Sequence, residues 1–187
     1  SDMIAVYDTP CEHVNEFQGY DHDLDSLAAK CLQKGFDFRE ILETVHDKYV
    51  KIVWEDFVKA RALDKHAVLL VEQRVDLDDF VPDSFGSSDA IIIFNDILHV
   101  YDLKYGRGVR VMAKGNPQIR LYALGALFGP GETYPIRDVW MTIIQPRLES
   151  VSEETLGRVE LLDWAEAEVR EKAQQAWKGI GDFVPGD

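Results

Sequence analysis

Cysteine is nearly absent from this chain of 187 residues: Cys11 and Cys31 are too few for a disulfide framework. Together with His13 and His22 they offer zinc-type ligands, but a C-x-H pair followed by wide, irregular gaps matches no finger spacing. Long apolar runs are missing too, and nothing approaches the ~18 uninterrupted residues of a membrane span. The N-terminus SDMIAVYDTPCEH lacks the basic-then-apolar order of a signal peptide. These absences lead us to expect a cytoplasmic protein with reduced thiols and no membrane partner. Basic residues are scarce as well, 20 Lys and Arg against 34 Asp and Glu for a net charge of −14. A surface of that sign argues against non-specific binding of polyanions.

What is present is a globular composition, 46% hydrophobic and 11% aromatic, in a length suited to one domain with a sizeable core. The opening Ser1-Asp2-Met3 reads as a remnant ahead of an original start or an internal cut, so we expect the natural protein to be longer. Charge is unevenly spread. From Lys104 to Arg147 there are seven basic residues against two acidic, +5, and the remainder carries −19. Such a tract is either a solvated basic loop or the one place on an acidic body where a polyanion is admitted.

Helical spacing of apolar residues marks 23–34 and 38–62, with Gly35 between them; in the second, Ile41, Val45, Tyr49, Ile52, Val53, Phe57 and Val58 recur at three and four. Residues 66–77 read as a strand, and DFVPDSFGSS as turn chemistry. Residues 89–95 and 97–105 flank Asp96 closely enough to form a hairpin. Asn116 as N-cap and Pro117 at the first helical position start a helix that ends at Gly129-Pro130-Gly131. Residues 137–145 make a further strand. The SEET of 152–155 is a capping-box-like start for a helix over 158–178. The order α-α-β-β-β-α-β-α predicts an α/β fold, a central mixed sheet flanked by helices. We expect one domain over 1–187: a helical part to residue 65, the sheet and its helix over 66–147, and a C-terminal helix over 148–187. Trp54, Trp140, Trp164 and Trp177 are core candidates; His99 should be packed and His46 solvated.

The chemistry concentrates in YDLKY. Residues two apart on a strand share a face, so Asp102 and Lys104 lie together and Leu103 opposite. Asp89 opens the preceding strand just after Gly86, and the hairpin brings it near Asp102. Converging carboxylates repel unless a cation sits between them, and a divalent metal with oxygen ligands is the usual answer. The plainer alternative is a structural Asp102–Lys104 ion pair. Gln118 and Tyr122, at i and i+4, share a face of the next helix, as ordinary amphipathic residues also do.

In order, GSSD (86–89), DLK (102–104) and QIRLY (118–122) resemble the G-x-x-D, (D/E)-x-K and Q-x-x-x-Y elements of the PD-(D/E)XK nuclease superfamily in its RecB-like branch. The wider string VEQRVDL through NPQIRLYALGAL resembles a phage- and prophage-associated group of that branch, formerly of unknown function. The resemblance implies a restriction-endonuclease-like core and a Mg²⁺- or Mn²⁺-dependent deoxyribonuclease. It would be a phage exonuclease of recombination or DNA processing, acting by a metal-activated water in a bacterial host cell. Asp89 and Asp102 would bind the metal, with the Leu103 carbonyl and Glu72 as further ligands, while Lys104 and Gln118 serve catalysis. Tyr122, Arg107, Arg110, Lys114 and Arg120 would contact DNA. A homo-oligomer and a phage recombination protein are further partners of this kind. Two departures stand out. The Glu or His that relatives place on an N-terminal helix has only His22 or Asp25 as a substitute, which leaves a catalytically impaired DNA-binding or assembly protein as the alternative. The cysteine-rich C-terminal segment of some relatives has no counterpart, so no iron–sulfur cluster is expected.

Overall fold

The structure is a computed structural model that describes residues 38–106 and 108–180. The chain divides into two compact units, 1–43 and 44–187. The expected helix at 23–34, and Cys11, His13, His22, Asp25, Cys31 and Arg107, lie outside the described residues.

Helix α1 (Phe38–Val45) runs through a π-helical turn (His46–Val50) into α2 (Lys51–Leu63), so the single helix expected over 38–62 carries one wide turn. Five strands follow: β1 (Val68–Asp76), β2 (Phe85–Phe94), β3 (Ile97–Leu103), β4 (Asp138–Gln145) and β5 (Ser150–Gly157). Helix α3 (Pro117–Phe128) crosses from β3 to β4. After β5 come α4 (Arg158–Trp164), a second π-helical turn (Ala165–Arg170) and α5 (Glu171–Trp177). The sheet is ordered β1-β2-β3-β4-β5, with β3 and β4 parallel and the other pairs antiparallel. The fold is thus α/β, a five-stranded mixed sheet flanked by helices, consistent with a restriction-endonuclease-like core.

Alternation along the strands builds a core on each face. Ile91, Ile93, Leu98, Val100, Val139, Met141 and Ile143 pack with Ile119, Ala123, Leu124 and Leu127 of α3 and with Leu161 and Ala165. Ala90, Ile92, Phe94, Tyr101 and Ile144 pack on the other face with Val53 and Ala60 of α2, and Tyr49, Ile52 and Phe57 join them. His99 is buried on this second face, bonded to Thr142 Oγ1 (2.7 Å) and the Tyr101 hydroxyl (2.8 Å). Burial lowers its pKa to about 4. His46 is exposed, as expected.

Two segments depart from expectation. Phe85-Gly86-Ser87-Ser88 is not turn but the start of β2. Residues 152–155, expected as a helix start, belong to β5, while the C-terminal helix begins at Arg158 as expected, and the Gly157 amide donates to Glu160 Oε2 (2.8 Å). Strand β5 hides from a hydropathy reading because its inward residues are polar: Ser150 and Ser152 are buried while Val151 is exposed. Trp177, expected in the core, is 61% exposed.

Asn116 caps α3 as expected, its side-chain oxygen accepting from the amides of Gln118 and Ile119. Gly125 lets α3 press onto the end of β1. A methyl group there would lie 2.7 Å from the Asp76 carbonyl oxygen and 2.8 Å from Val75 Cβ. Gly125→Ala should therefore destabilise by about 1–3 kcal/mol through overpacking, against the ~1 kcal/mol that alanine returns in helix propensity. A lower urea midpoint at unchanged slope is the expected reading.

Candidate active site

The hairpin ladder between β2 and β3 runs from Phe94↔Ile97 to Ala90↔Tyr101 and stops. Beyond it β3 continues on β4 alone, through Asp102↔Ile143 and Leu103↔Ile144. The Leu103 amide donates to Asp89 Oδ2 (2.6 Å), so a carboxylate stands where a ladder bond would have been. Asp89 and Asp102 flank the opening.

Across from Asp89 lies Glu72. The β1–β2 register is the same on both sides of this pair, Val71↔Ala90 and Gln73↔Ser88, but neither Glu72 nor Asp89 joins the ladder. Glu72 has φ +52°, left-handed backbone that costs a side-chain-bearing residue about 1–2 kcal/mol. The alternation slips there: Val68 and Leu70 face the α3 core, yet so does Val75. Glu72 is exposed. It does not take Arg74 as a partner, since Arg74 stacks on Phe85 (3.8 Å).

Asp102 is buried, 4% exposed, on the α3 face of the sheet. Its Oδ1 accepts from Lys104 Nζ (3.1 Å). Oδ2, which is enclosed, lies 3.0 Å from the same ammonium, so Lys104 pairs with both oxygens. Lys104 also donates to Gln118 Oε1 (2.7 Å), and Gln118 Nε2 donates to the Tyr122 hydroxyl (2.8 Å). The sequence-predicted Asp102, Lys104, Gln118 and Tyr122 are thus one hydrogen-bonded row. Gly86 belongs to it sterically, for a methyl group there would meet the Tyr122 ring at 2.5 and 2.8 Å. Leu103, expected to offer its carbonyl, is engaged through its amide.

Burial raises the Asp89 pKa, the Leu103 amide opposes this, and the charges of Asp102 and Glu72 add to the rise. Crowded carboxylates of this kind fit a divalent cation bound by oxygen. Among the described residues, no three His, Cys, Asp or Glu side chains gather into a ready ligand cluster.

The basic tract divides. Arg120 does not face outward. Its guanidinium, expected to contact DNA, is paired twice with Glu154 (2.8 and 2.6 Å) over the Trp164 ring. Arg110 and Lys114 are exposed. They lie on a loop whose amides are taken in turn by inward side chains: Val111 by Gln145 (2.7 Å), Ala113 by Ser152 (2.9 Å) and Gly115 by Glu154 (3.0 Å).

Sequence reasoning misses Tyr49. It sits in the first π-helical turn with its hydroxyl enclosed, and its pKa is raised by burial and then by the charges of Asp89, Glu72 and Asp102. A tyrosine in an apolar stripe gives no signal of this.

Fold and site together define an α/β protein with a paired-carboxylate and lysine centre at the parting of two strands. Residues 12–187 match DUF2800, a family of proteins of unknown function, and the chain belongs to it. A solved structure titled "Crystal structure of SSO0001" is similar at 16% identity and a TM-score of 0.27, over 79% of this chain and 68% of that one, which is too distant to bear on function. No described helix is long and apolar enough to cross a membrane.

If Gly86 is glycine because of Tyr122, the two positions must be coupled. Gly86→Ala should destabilise by about 1–3 kcal/mol in the wild-type background. In a Tyr122→Ala background it should cost less, with a coupling of about 0.5–3 kcal/mol in a double-mutant cycle. Additive losses would mean that the ring and the glycine are independent.

Proposed function

We propose that this chain is a Mg²⁺- or Mn²⁺-dependent deoxyribonuclease with the PD-(D/E)XK arrangement of the RecB-like branch, an exonuclease of phage recombination or DNA processing. The single observation that carries this reading is the row Asp102–Lys104–Gln118–Tyr122, with Asp89 beside it. Asp89 and Asp102 would hold the cation, with Leu103 and Glu72 at its margin. When bound, such a cation supplies Lewis acidity to a phosphodiester and a water of lowered pKa. Lys104, held by Asp102 on one side and Gln118 on the other, places an ammonium where charge develops on the phosphate. Tyr122 and the exposed Arg110 and Lys114, with Arg107, would carry the DNA. The setting is a bacterial cytoplasm, with a phage recombination protein or a second copy as partner. The shortage of converging ligands among the described residues favours a second reading, an impaired nuclease-fold protein that binds DNA without cutting it. Metal-dependent digestion of end-labelled linear and circular DNA separates the two.

Asp89→Asn and Asp102→Asn should each abolish cleavage and the Mg²⁺-induced rise in melting temperature. The stability of the apo protein follows from the raised pKa of Asp89. The folded state holds that proton more tightly than the unfolded, so its stabilising effect is present at low pH and is lost as pH rises through the folded pKa. Asp89→Asn, which cannot ionise, should therefore melt no lower than wild type at neutral pH without metal. Full activity in either variant would defeat the assignment.

Neutralising Arg107, Arg110 and Lys114 together should weaken DNA binding and flatten its salt dependence, by a log–log slope of roughly 0.7–0.9 for each phosphate no longer neutralised. Metal binding should be unaffected. Unchanged affinity and slope would make the tract a solvated loop.

A further inference from the structure

On the second face of the sheet, away from Asp102 and α3, a cavity of about 530 Å³ opens between α2 and strands β2 to β5. That volume lies in the range of small-molecule sites. Ile92, Phe94 and Trp140 wall it from the sheet, and the exposed Leu63 of α2 stands at its rim. The half-buried Trp140 ring is set edge-on to the rings of Phe94 (5.9 Å, 81°) and His99 (5.5 Å, 73°).

Its polar part is a row of four side chains, of which Asp56, His99 and Thr142 line the cavity. The Tyr101 hydroxyl donates to Asp56 Oδ2 (3.1 Å) and bonds His99 Nδ1 (2.8 Å), and His99 Nε2 bonds Thr142 Oγ1 (2.7 Å). The protons in this row run one way. Tyrosine has a single hydroxyl proton, and it goes to Asp56, whose other oxygen accepts from Lys59 Nζ (2.9 Å). Tyr101 must then receive from His99 Nδ1. Burial lowers the His99 pKa to about 4, and a neutral imidazole carries one proton, so Nε2 accepts from Thr142. With its own proton committed, the Thr142 hydroxyl has only lone pairs left to offer a ligand.

The charges of the lining agree with this. Glu153 stands opposite Thr142 in the β4–β5 register and is exposed, while Glu154 is already paired with Arg120. Among the described residues of the lining the one cation is Lys59, which is held by Asp56 and is 71% exposed. An acceptor, an unneutralised carboxylate and an indole ring together select a positively charged donor on an apolar body. We propose that this cavity binds a small amine with an aromatic body, the ring against Phe94, Ile92 and Trp140, the ammonium donating to Thr142 Oγ1, and Glu153 as its countercharge. The site stands apart from the carboxylate–lysine centre and does not rest on the nuclease reading.

The test titrates the full chain with phenethylamine as the probe, and with phenylacetate, close in shape and opposite in charge, as its comparison, in isothermal titration calorimetry. The expected result is saturable binding of the amine and none of the acid. Thr142→Val keeps the side chain's shape and removes its oxygen; it should raise the amine's Kd about 10–100-fold, as losing a hydrogen bond to a charged group does. Glu153→Gln should raise it by a smaller factor. Nitrogen NMR of the His99 ring should show Nδ1 protonated and Nε2 bare. An amine that fails to bind overturns the proposal, and so does an acid that binds as tightly. If Thr142→Val does not fold, the decision passes to the exposed position 153, where wild-type affinity in Glu153→Gln overturns it. A proton found on Nε2 reverses the row and overturns it too.

Discussion

Where β2 and β3 part, the amide of Leu103 faces β2 and finds the carboxylate of Asp89 in place of a backbone carbonyl. The site depends on that substitution. An uninterrupted ladder would have carried Asp89 and Asp102 into register as an ordinary antiparallel pair, with like charges directly opposed. Instead the hairpin opens, β3 is held by β4 alone, and the carboxylates flank a gap rather than a ladder. The positive φ of Glu72 belongs to the same event. As β2 loses its pairing at Asp89, β1 loses its own at Glu72, and the face alternation is reset without a change of register.

The rest of the centre hangs from α3, whose place is set by two glycines with opposite partners. Gly86 on β2 makes room for the Tyr122 ring, and Gly125 on the helix makes room for β1. With the helix pressed down at both points, Gln118 reaches Lys104 and the ammonium is fixed between an amide oxygen and a buried carboxylate. Spacing in sequence makes Gln118 and Tyr122 neighbours on a helix. Only the packing makes them a chain that ends at the lysine.

Much of this is legible in the residues alone. Period-two alternation around YDLKY puts Asp102 and Lys104 on one face, and Asn116-Pro117 marks the start of α3 to the residue. What is not legible has physical reasons. Strand β5 looks like a helix start because a strand whose inward side chains cap loop amides must be polar where hydropathy looks for apolar residues, as Ser152 and Glu154 are. Arg120 counts toward a basic tract, but its charge is cancelled by Glu154, and a local tally of charge does not see a partner 34 residues away. Tyr49 is hidden by its own ring, which belongs in an apolar stripe whether or not its hydroxyl has a further task.

The loop from Val109 to Gly115 has the outward look of a flexible basic segment, with Val109 and Met112 exposed between its charges. Its inner edge is different. Alternate amide protons are held by Gln145, Ser152 and Glu154, side chains anchored on two strands of the sheet. Those amides should exchange with solvent as slowly as neighbouring strand amides, while the side chains above them move freely. A ligand crossing Lys104 would thus rest on a floor that does not yield, and the adjustment would have to come from the ligand.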